Sequence, residues 1–171
     1  MERDEILTLL TELGDRLERK RVRGELLLVG GAAMALAYST RRSTADLDAI
    51  FEPKKVIYDI ARAMAGEHDL PLNWLNDAVK GFMPGPDPNA TVFLEHAGLV
   101  VRVASPRYLL AMKLLASRIE RDEDDIALLL RLSGITTVEE ALALVEEYYA
   151  HRTVPPKVQF LVRELLASGA E

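Results

Sequence analysis

Leu26-Leu27-Leu28-Val29-Gly30-Gly31, continued by Ala32-Ala33-Met34-Ala35-Leu36-Ala37-Tyr38, is an apolar run that halts at two glycines and resumes as alanine-rich sequence. The run before the glycines reads as a buried strand, the glycines as a tight turn, and Ala32 to Tyr38 as helix. Leu47 and Ala49 to Phe51 resume a strand pattern. Pro53 then opens a helix carrying Val56, Ile57, Ile60 and Met64 on one side. Upstream, Ile6, Leu9, Leu10, Leu13 and Leu17 recur at helical spacing, so residues from about 4 to 20 form an amphipathic helix that ends at Arg19, Lys20, Arg21 and Arg23.

Asn76 to Asn89 holds Gly81, Pro84, Gly85, Pro86 and Pro88, the composition of a mobile loop that can neither pair nor coil regularly. Thr91 to Leu94 and Leu99 to Val103 read as two strands about the turn His96-Ala97-Gly98, closing the sheet with a hairpin. Everything afterwards is helical in pattern. Ser105-Pro106 supplies an N-cap and a first-turn proline, a second helix runs from about Arg121 to Leu132, and Thr137 with Glu140 makes a capping box for a third. Pro155-Pro156 opens the last. The expected class is α+β: an α/β half over 1–104 with a small mixed sheet, and a helical half over 105–171, packed as one compact unit with a cleft between them.

A chain of 171 residues, 49% hydrophobic and 28% charged, is ordinary globular material. Twenty-one basic against twenty-seven acidic side chains give a net charge of -6, which offers a polyanion no overall attraction. The absence of cysteine excludes thiol nucleophiles and thiolate metal sites, leaving oxygen, nitrogen or metal chemistry. The charged opening Met1-Glu2-Arg3-Asp4-Glu5 is unlike a secretory signal, and no apolar run approaches a membrane span. A cytoplasmic protein without membrane contact is expected.

Two glycines where a strand becomes a helix let a ligand approach the backbone closely and present free amides, for which phosphate is the usual guest. Asp46 and Asp48 stand two apart on an expected strand, so alternation sends both carboxylates to one face, where a hard cation such as Mg²⁺ takes carboxylate and phosphate oxygens together. Taken singly, a Gly-Gly turn is often structural and an Asp-x-Asp is often a solvated edge. Their succession puts phosphate donors near metal ligands. Arg41 and Arg42, just before the acids, either pair with Asp46 or receive phosphate, and Thr44 is placed to cap the turn into the strand. Trp74 is a core residue or a base-stacking platform, the former more often for a lone tryptophan among leucines. His68, His96 and His151 form no zinc or triad pattern.

Leu28-Val29-Gly30-Gly31 followed by Arg42-x-Thr44-x-Asp46-Leu47-Asp48 resembles the signature of minimal polymerase-β-like nucleotidyltransferases, in particular their toxin-type, AbiEii-like branch. Ser105-Pro106 through Leu110-Ala111-Met112-Lys113-Leu114-Leu115-Ala116-x-Arg118, then Arg121-Asp122-x-x-Asp125-Ile126, is similar to the same branch, more loosely. The resemblance implies a nucleotidyltransferase fold with a C-terminal helical lobe. It also implies an NTP bound by Gly30, Gly31, Arg42, Thr44 and Lys113, with Asp46 and Asp48 holding Mg²⁺ in a two-metal site. An acceptor hydroxyl on RNA, a protein or a small molecule would attack the α-phosphate and expel pyrophosphate, with Asp46, Asp48, Lys113, Asp122 and Asp125 as catalytic residues. A role in a toxin–antitoxin pair, with a cognate protein partner, follows from the same likeness.

Structural readings stand beside these. Lys113 also suits a snorkelling position on an amphipathic helix, and acids at a helix start favour its dipole without function. The pattern departs from the family in two places. Gly31 stands where many members carry serine, and Leu99 to Val103 holds Arg102 and no third acid, with Glu95 the nearest substitute. A nucleotide-binding or regulatory module of the same fold, catalytically weakened, is the alternative. A helical interaction domain with incidental glycines and acids is the third.

Overall fold

The computed structural model describes residues 1–38, 43–116 and 119–169. By its internal contacts the chain divides into two units, one of residues 1–81 and 89–104, the other of residues 82–88 and 105–171.

The first unit begins with α1 (Arg3–Arg19), β1 (Gly24–Leu28) and a short helical turn α2 (Gly30–Ala33). β2 (Leu47–Glu52), α3 (Lys54–Glu67), β3 (Leu75–Asn76), β4 (Thr91–His96) and β5 (Leu99–Val103) follow. The five strands lie in the order β3-β2-β1-β5-β4. β1 at the centre pairs antiparallel with β2, Leu28 opposite Ala49, and parallel with β5, Leu28 opposite Val103. The β4–β5 hairpin turns at Ala97-Gly98, as its sequence suggests.

Alternation divides the sheet into two faces. Leu26, Leu28, Leu47, Ala49, Phe51, Leu99 and Val101 are buried with Ile6, Leu10, Leu13 and Leu17 of α1 and Ile57, Ile60 and Met64 of α3 in one core. Each such aliphatic side chain contributes about 1.5–3 kcal/mol by leaving water, which is why α1 and α3 lie on that face. The other face carries Glu25, Leu27, Asp48, Ile50, Glu52 and Arg102 and stays partly open.

Three local expectations change. The helix over Ala32 to Tyr38 is α-helical only to Ala33, and Met34–Tyr38 continues as a wider π turn. It ends with the Tyr38 hydroxyl donating to the carbonyl of Ala104 at 2.7 Å. Asp46 lies in a bend one residue before β2 rather than in the strand. The Asn76–Asn89 loop contains a 3₁₀ turn, Ala78–Phe82, and its proline-rich part is tied down: Tyr108 and Tyr149 donate their hydroxyls to the carbonyls of Gly85 (2.6 Å) and Phe82 (2.8 Å). Desolvation raises the Tyr108 hydroxyl to about 12 and pushes Tyr149 up as well, so both remain donors. Trp74 is fully buried and donates its indole N–H to the Ala61 carbonyl at 2.9 Å, which settles it as a core residue.

The second unit is helical: α4 (Pro106–Ala116), α5 (Ile119–Leu132), α6 (Val138–Tyr148) and α7 (Pro156–Ser168). Tyr108 to Leu114 of α4 are all buried, and α4 packs on α5 and α6, which both contact α7. Ser105 precedes α4 as expected, but its hydroxyl and amide both donate to Asp87. The Thr137–Glu140 capping box is present in both directions. Among the described residues no helix is long and apolar enough to cross a membrane.

Candidate functional site

The chain leaves β1 through Val29, whose amide donates to the carbonyl of Asp48 at 3.0 Å, so the start of the glycine turn is fastened to β2. Gly30 then takes φ +58°, a left-handed conformation that costs a side-chain-bearing residue about 1–2 kcal/mol. A Cβ there would stand 3.2 Å from Oδ2 of Asp48. At Gly31 a Cβ would come 2.8 Å from Oγ1 of Thr44. The backbone conformation calls for glycine at 30, and both positions pack closely, one on a carboxylate and the other on a hydroxyl.

The approach to the acids is braced from outside. The main chains of Met1 and Thr44 bond in both directions, at 2.6 and 3.0 Å. Thr44 Oγ1 donates to the carbonyl of Asp46 at 2.9 Å, a hydroxyl turn that shapes the bend before the strand.

Asn76 was not legible as a site residue. β3 pairs parallel with β2 so that Asn76 stands opposite Asp48, and its amide lies 3.4 Å from Oδ2 of Asp46. One side chain thus links the surroundings of both acids. Its neighbour Asp77 is engaged by α3, where the Lys54 ammonium and the Tyr58 hydroxyl hold its carboxyl below the usual range. Two-residue β3 has too few positions to show alternation, which is why the sequence hid Asn76.

Glu95 does not complete the acid pair. It lies on edge strand β4, separated from β2 by β1 and β5, roughly 14 Å across the sheet at strand spacing, and it pairs with Arg23 at 3.5 Å. Arg102 is exposed on the same face as Asp48, opposite Leu27. A shallow hollow of about 160 Å³ beside it is lined by Glu25, Leu27, Ile50 and Glu52.

In the second unit, Lys113 is buried with two acids. Its ammonium donates to Oδ1 of Asp122 at 2.6 Å and lies 2.8 Å from Oδ2 of Asp125. With Lys113 only 8% exposed and the acids at 7% and 3%, it is an internal ion triad and not a snorkelling lysine. Arg41, Arg42 and Arg118 lie outside the described residues.

The histidines serve elsewhere. His68 lies 2.7 Å from Glu12 and His96 lies 3.0 Å from Asp15. They belong to clusters with Glu67 and Glu18, respectively, the first of which also contains Arg16 ion-paired to both glutamates.

Against the glycine turn stand one carboxylate, Asp48, and one hydroxyl, Thr44, and the second carboxylate, Asp46, lies two residues before Asp48 beside the Asn76 amide. That set fits Mg²⁺, which favours oxygen ligands and leaves positions for phosphate and water. No curated protein matches the chain. A family model described as a nucleotidyltransferase of unknown function, DUF6036, matches residues 4–152, a span that contains the glycine turn, both acids and the Lys113 triad. The chain belongs to that nucleotidyltransferase family.

Proposed function

We propose that the protein transfers a nucleoside monophosphate from an NTP to a hydroxyl acceptor, with Mg²⁺ held by Asp46 and Asp48. The observation that carries this reading is the approach of the glycine turn to Asp48 and to the loop that leads to it, Gly30 against Asp48 and Gly31 against Thr44. Backbone amides suited to phosphate and carboxylates suited to a cation are neighbours there, as a metal–triphosphate complex requires. Bound Mg²⁺ would supply Lewis-acid polarisation of the phosphate oxygens. The chain's own residues do the rest: Gly30 and Gly31 leave room for the phosphates, Asn76 orients Asp46, and Arg42 is assigned to the triphosphate charge on the strength of the sequence resemblance. Asp122 and Asp125 position Lys113 through the ion triad.

The acceptor classes are RNA, protein and small-molecule hydroxyls, and membership of the toxin-type, AbiEii-like branch with a cognate partner belongs to this proposal on the strength of the sequence resemblance. Incubating the protein with each α-labelled NTP, Mg²⁺ and cellular RNA or protein tests it, with label expected in one acceptor fraction. A second reading, a nucleotide-binding module without turnover, is favoured by Arg102 standing where a third acid was sought. Mg²⁺-dependent binding of NTP without transfer would select it. Absence of both binding and transfer with every NTP would end the nucleotide reading altogether.

A further inference from the structure

We infer that the basic end of α1, Arg19, Lys20 and Arg21 beside the hollow between α1 and α3, is a docking surface for the phosphate backbone of single-stranded RNA. RNA as the acceptor rests on the nucleotide reading above, whereas the surface stands on its own observations.

The chain carries a net charge of -6, yet these three consecutive residues at the end of α1 are basic and exposed. The acids around them are engaged with other partners. Glu12 and Glu67 pair with Arg16, Glu12 also meets His68, Asp15 and Glu18 cluster with His96, and Glu95 pairs with Arg23. Asp59 on α3 bonds to Lys55, which with Arg62 and Lys20 holds its carboxyl below the usual range. Among the described residues Arg19, Lys20 and Arg21 form no ion pair, and Arg19 donates only to the carbonyl of Asp15 at 3.3 Å. Beside them lies a hollow of about 590 Å³ lined by Arg16, Arg19, Lys20, Asp59, Ile60 and Ala63.

Local structure does not explain Arg21. α1 closes in a Schellman turn, the amide of Val22 donating to the Leu17 carbonyl at 3.0 Å and that of Arg21 to the Glu18 carbonyl at 2.8 Å. Arg21 thus takes the position this turn prefers to give to glycine, at φ +56°. The helix dipole favours cations in the last turn, which accounts for Arg16 and Arg19. It gives no reason for an arginine past that turn in a glycine's place. An exposed arginine held in an unfavourable backbone, with no ion pair inside the fold, is placed for a partner outside it.

Phosphate suits this surface, because the guanidinium fork matches phosphate oxygens. With only Ile60 and Ala63 as apolar lining, the hollow offers no large side chain to enter a membrane. Distance then selects a polymer. The 17 residues of α1 extend about 25 Å, and Met1 at its start is bonded to Thr44, just before the acids. A ligand that touches Arg21 and the acids together must span that length, which a small molecule does not. An RNA strand carries a charge at every nucleotide and a hydroxyl at its end, so one molecule meets both requirements.

Binding of a labelled single-stranded oligoribonucleotide long enough to span α1 is measured against salt for wild type, Arg21→Gly and the triple variant Arg19→Gln/Lys20→Gln/Arg21→Gly. Thermal unfolding and Mg²⁺–NTP titration accompany it. Arg21→Gly relieves the left-handed backbone, so its unfolding temperature should rise by about 2–4 °C while RNA affinity falls. A merely structural arginine would not give opposite signs. In the triple variant RNA affinity should fall tenfold or more, and the slope of log affinity against log salt should flatten by about 2, as expected for three lost phosphate contacts on a single strand. Mg²⁺–NTP affinity should stay at the wild-type value. Unchanged RNA affinity and slope in the triple variant would overturn the inference. So would wild type that binds polyglutamate or anionic phospholipid vesicles through these residues but no RNA, since the surface would then belong to an acidic protein or a membrane. If wild type binds NTP and no RNA, the docking surface falls while the nucleotide reading stands. If it binds RNA through these residues and no NTP, the surface stands and the nucleotide reading falls.

Discussion

Gly30 turns at φ +58° against the Asp48 carboxylate, where a Cβ would stand 3.2 Å from Oδ2 and press the carboxylate back by a few tenths of an ångström. Gly30→Ala is expected to lose about 1–2 kcal/mol through the left-handed backbone alone and to weaken Mg²⁺–NTP binding by moving Asp48. Gly30→Asn tolerates that backbone better yet presses on the same carboxylate. Paired unfolding and binding measurements should show the asparagine variant more stable than the alanine variant and no better at binding. An alanine variant with wild-type affinity would separate the glycine from the acid.

Replacing Asp46 and Asp48 together with asparagine should abolish transfer and leave the fold intact. Asparagine keeps size and hydrogen bonding while removing the charge that draws a cation. Without metal the variant should unfold close to the wild-type temperature, since both side chains keep their size and hydrogen-bonding capacity. Residual transfer at the wild-type rate would remove both acids from the chemistry.

Lys113→Ala leaves Asp122 and Asp125 buried without their ammonium, a loss expected at about 3–5 kcal/mol. Neutralising the three together, Lys113→Met with Asp122→Asn and Asp125→Asn, should recover part of it, because the ammonium and the two carboxylates it pairs with are removed at once. Urea unfolding compares the two, and label transfer by the folded triple variant tells whether the triad serves more than stability.

The Glu140 carboxylate accepts from the amides of Thr136 (2.7 Å) and Thr137 (3.1 Å), and these bonds hold its carboxyl below the ordinary 4.5. A depressed carboxyl stabilises the fold above its ordinary value and loses that contribution as pH falls through the lower, folded value. The difference in unfolding temperature between wild type and Glu140→Gln should therefore be full at neutral pH and close in acid below 4.5. Thr137→Ala, which removes the reciprocal cap, should cost about 1 kcal/mol.

Most of the fold was readable because its signals are long or chemically sharp. Five aliphatic positions announce α1, Ser105-Pro106 and Pro155-Pro156 mark helix starts, and the glycines mark the end of β1. What stayed hidden depends on tertiary pairing. β3 is too short for a pattern and exists because Leu75 and Asn76 find the edge of β2. Asn76 was thus invisible beside Asp46, although Thr44, Asp46 and Asp48 were named. Helical propensity likewise gave Met34 to Tyr38 an ordinary helix, whereas the chain forms a wider turn anchored at Ala104. The acids carried their own signal, and the hydroxyl contact at Gly31 emerged only in three dimensions.

The chain passes from the first unit to the second at Phe82, returns at Asn89 and leaves again at Ser105. No single cut can separate two self-sufficient pieces. A fragment ending at Ala104 would keep residues 82–88 without Tyr108, Tyr149 and Ser105, the donors that secure them. A fragment beginning at Ser105 would lack the carbonyls and the carboxylate those donors use. On the ribosome, moreover, central β1 must wait for β5, since Gly24 pairs with Leu99, before its second edge is filled. Emergence of the hairpin, rather than of the glycine turn, therefore sets the earliest moment at which the acid-bearing sheet can close, leaving β1 an exposed template for wrong partners until then.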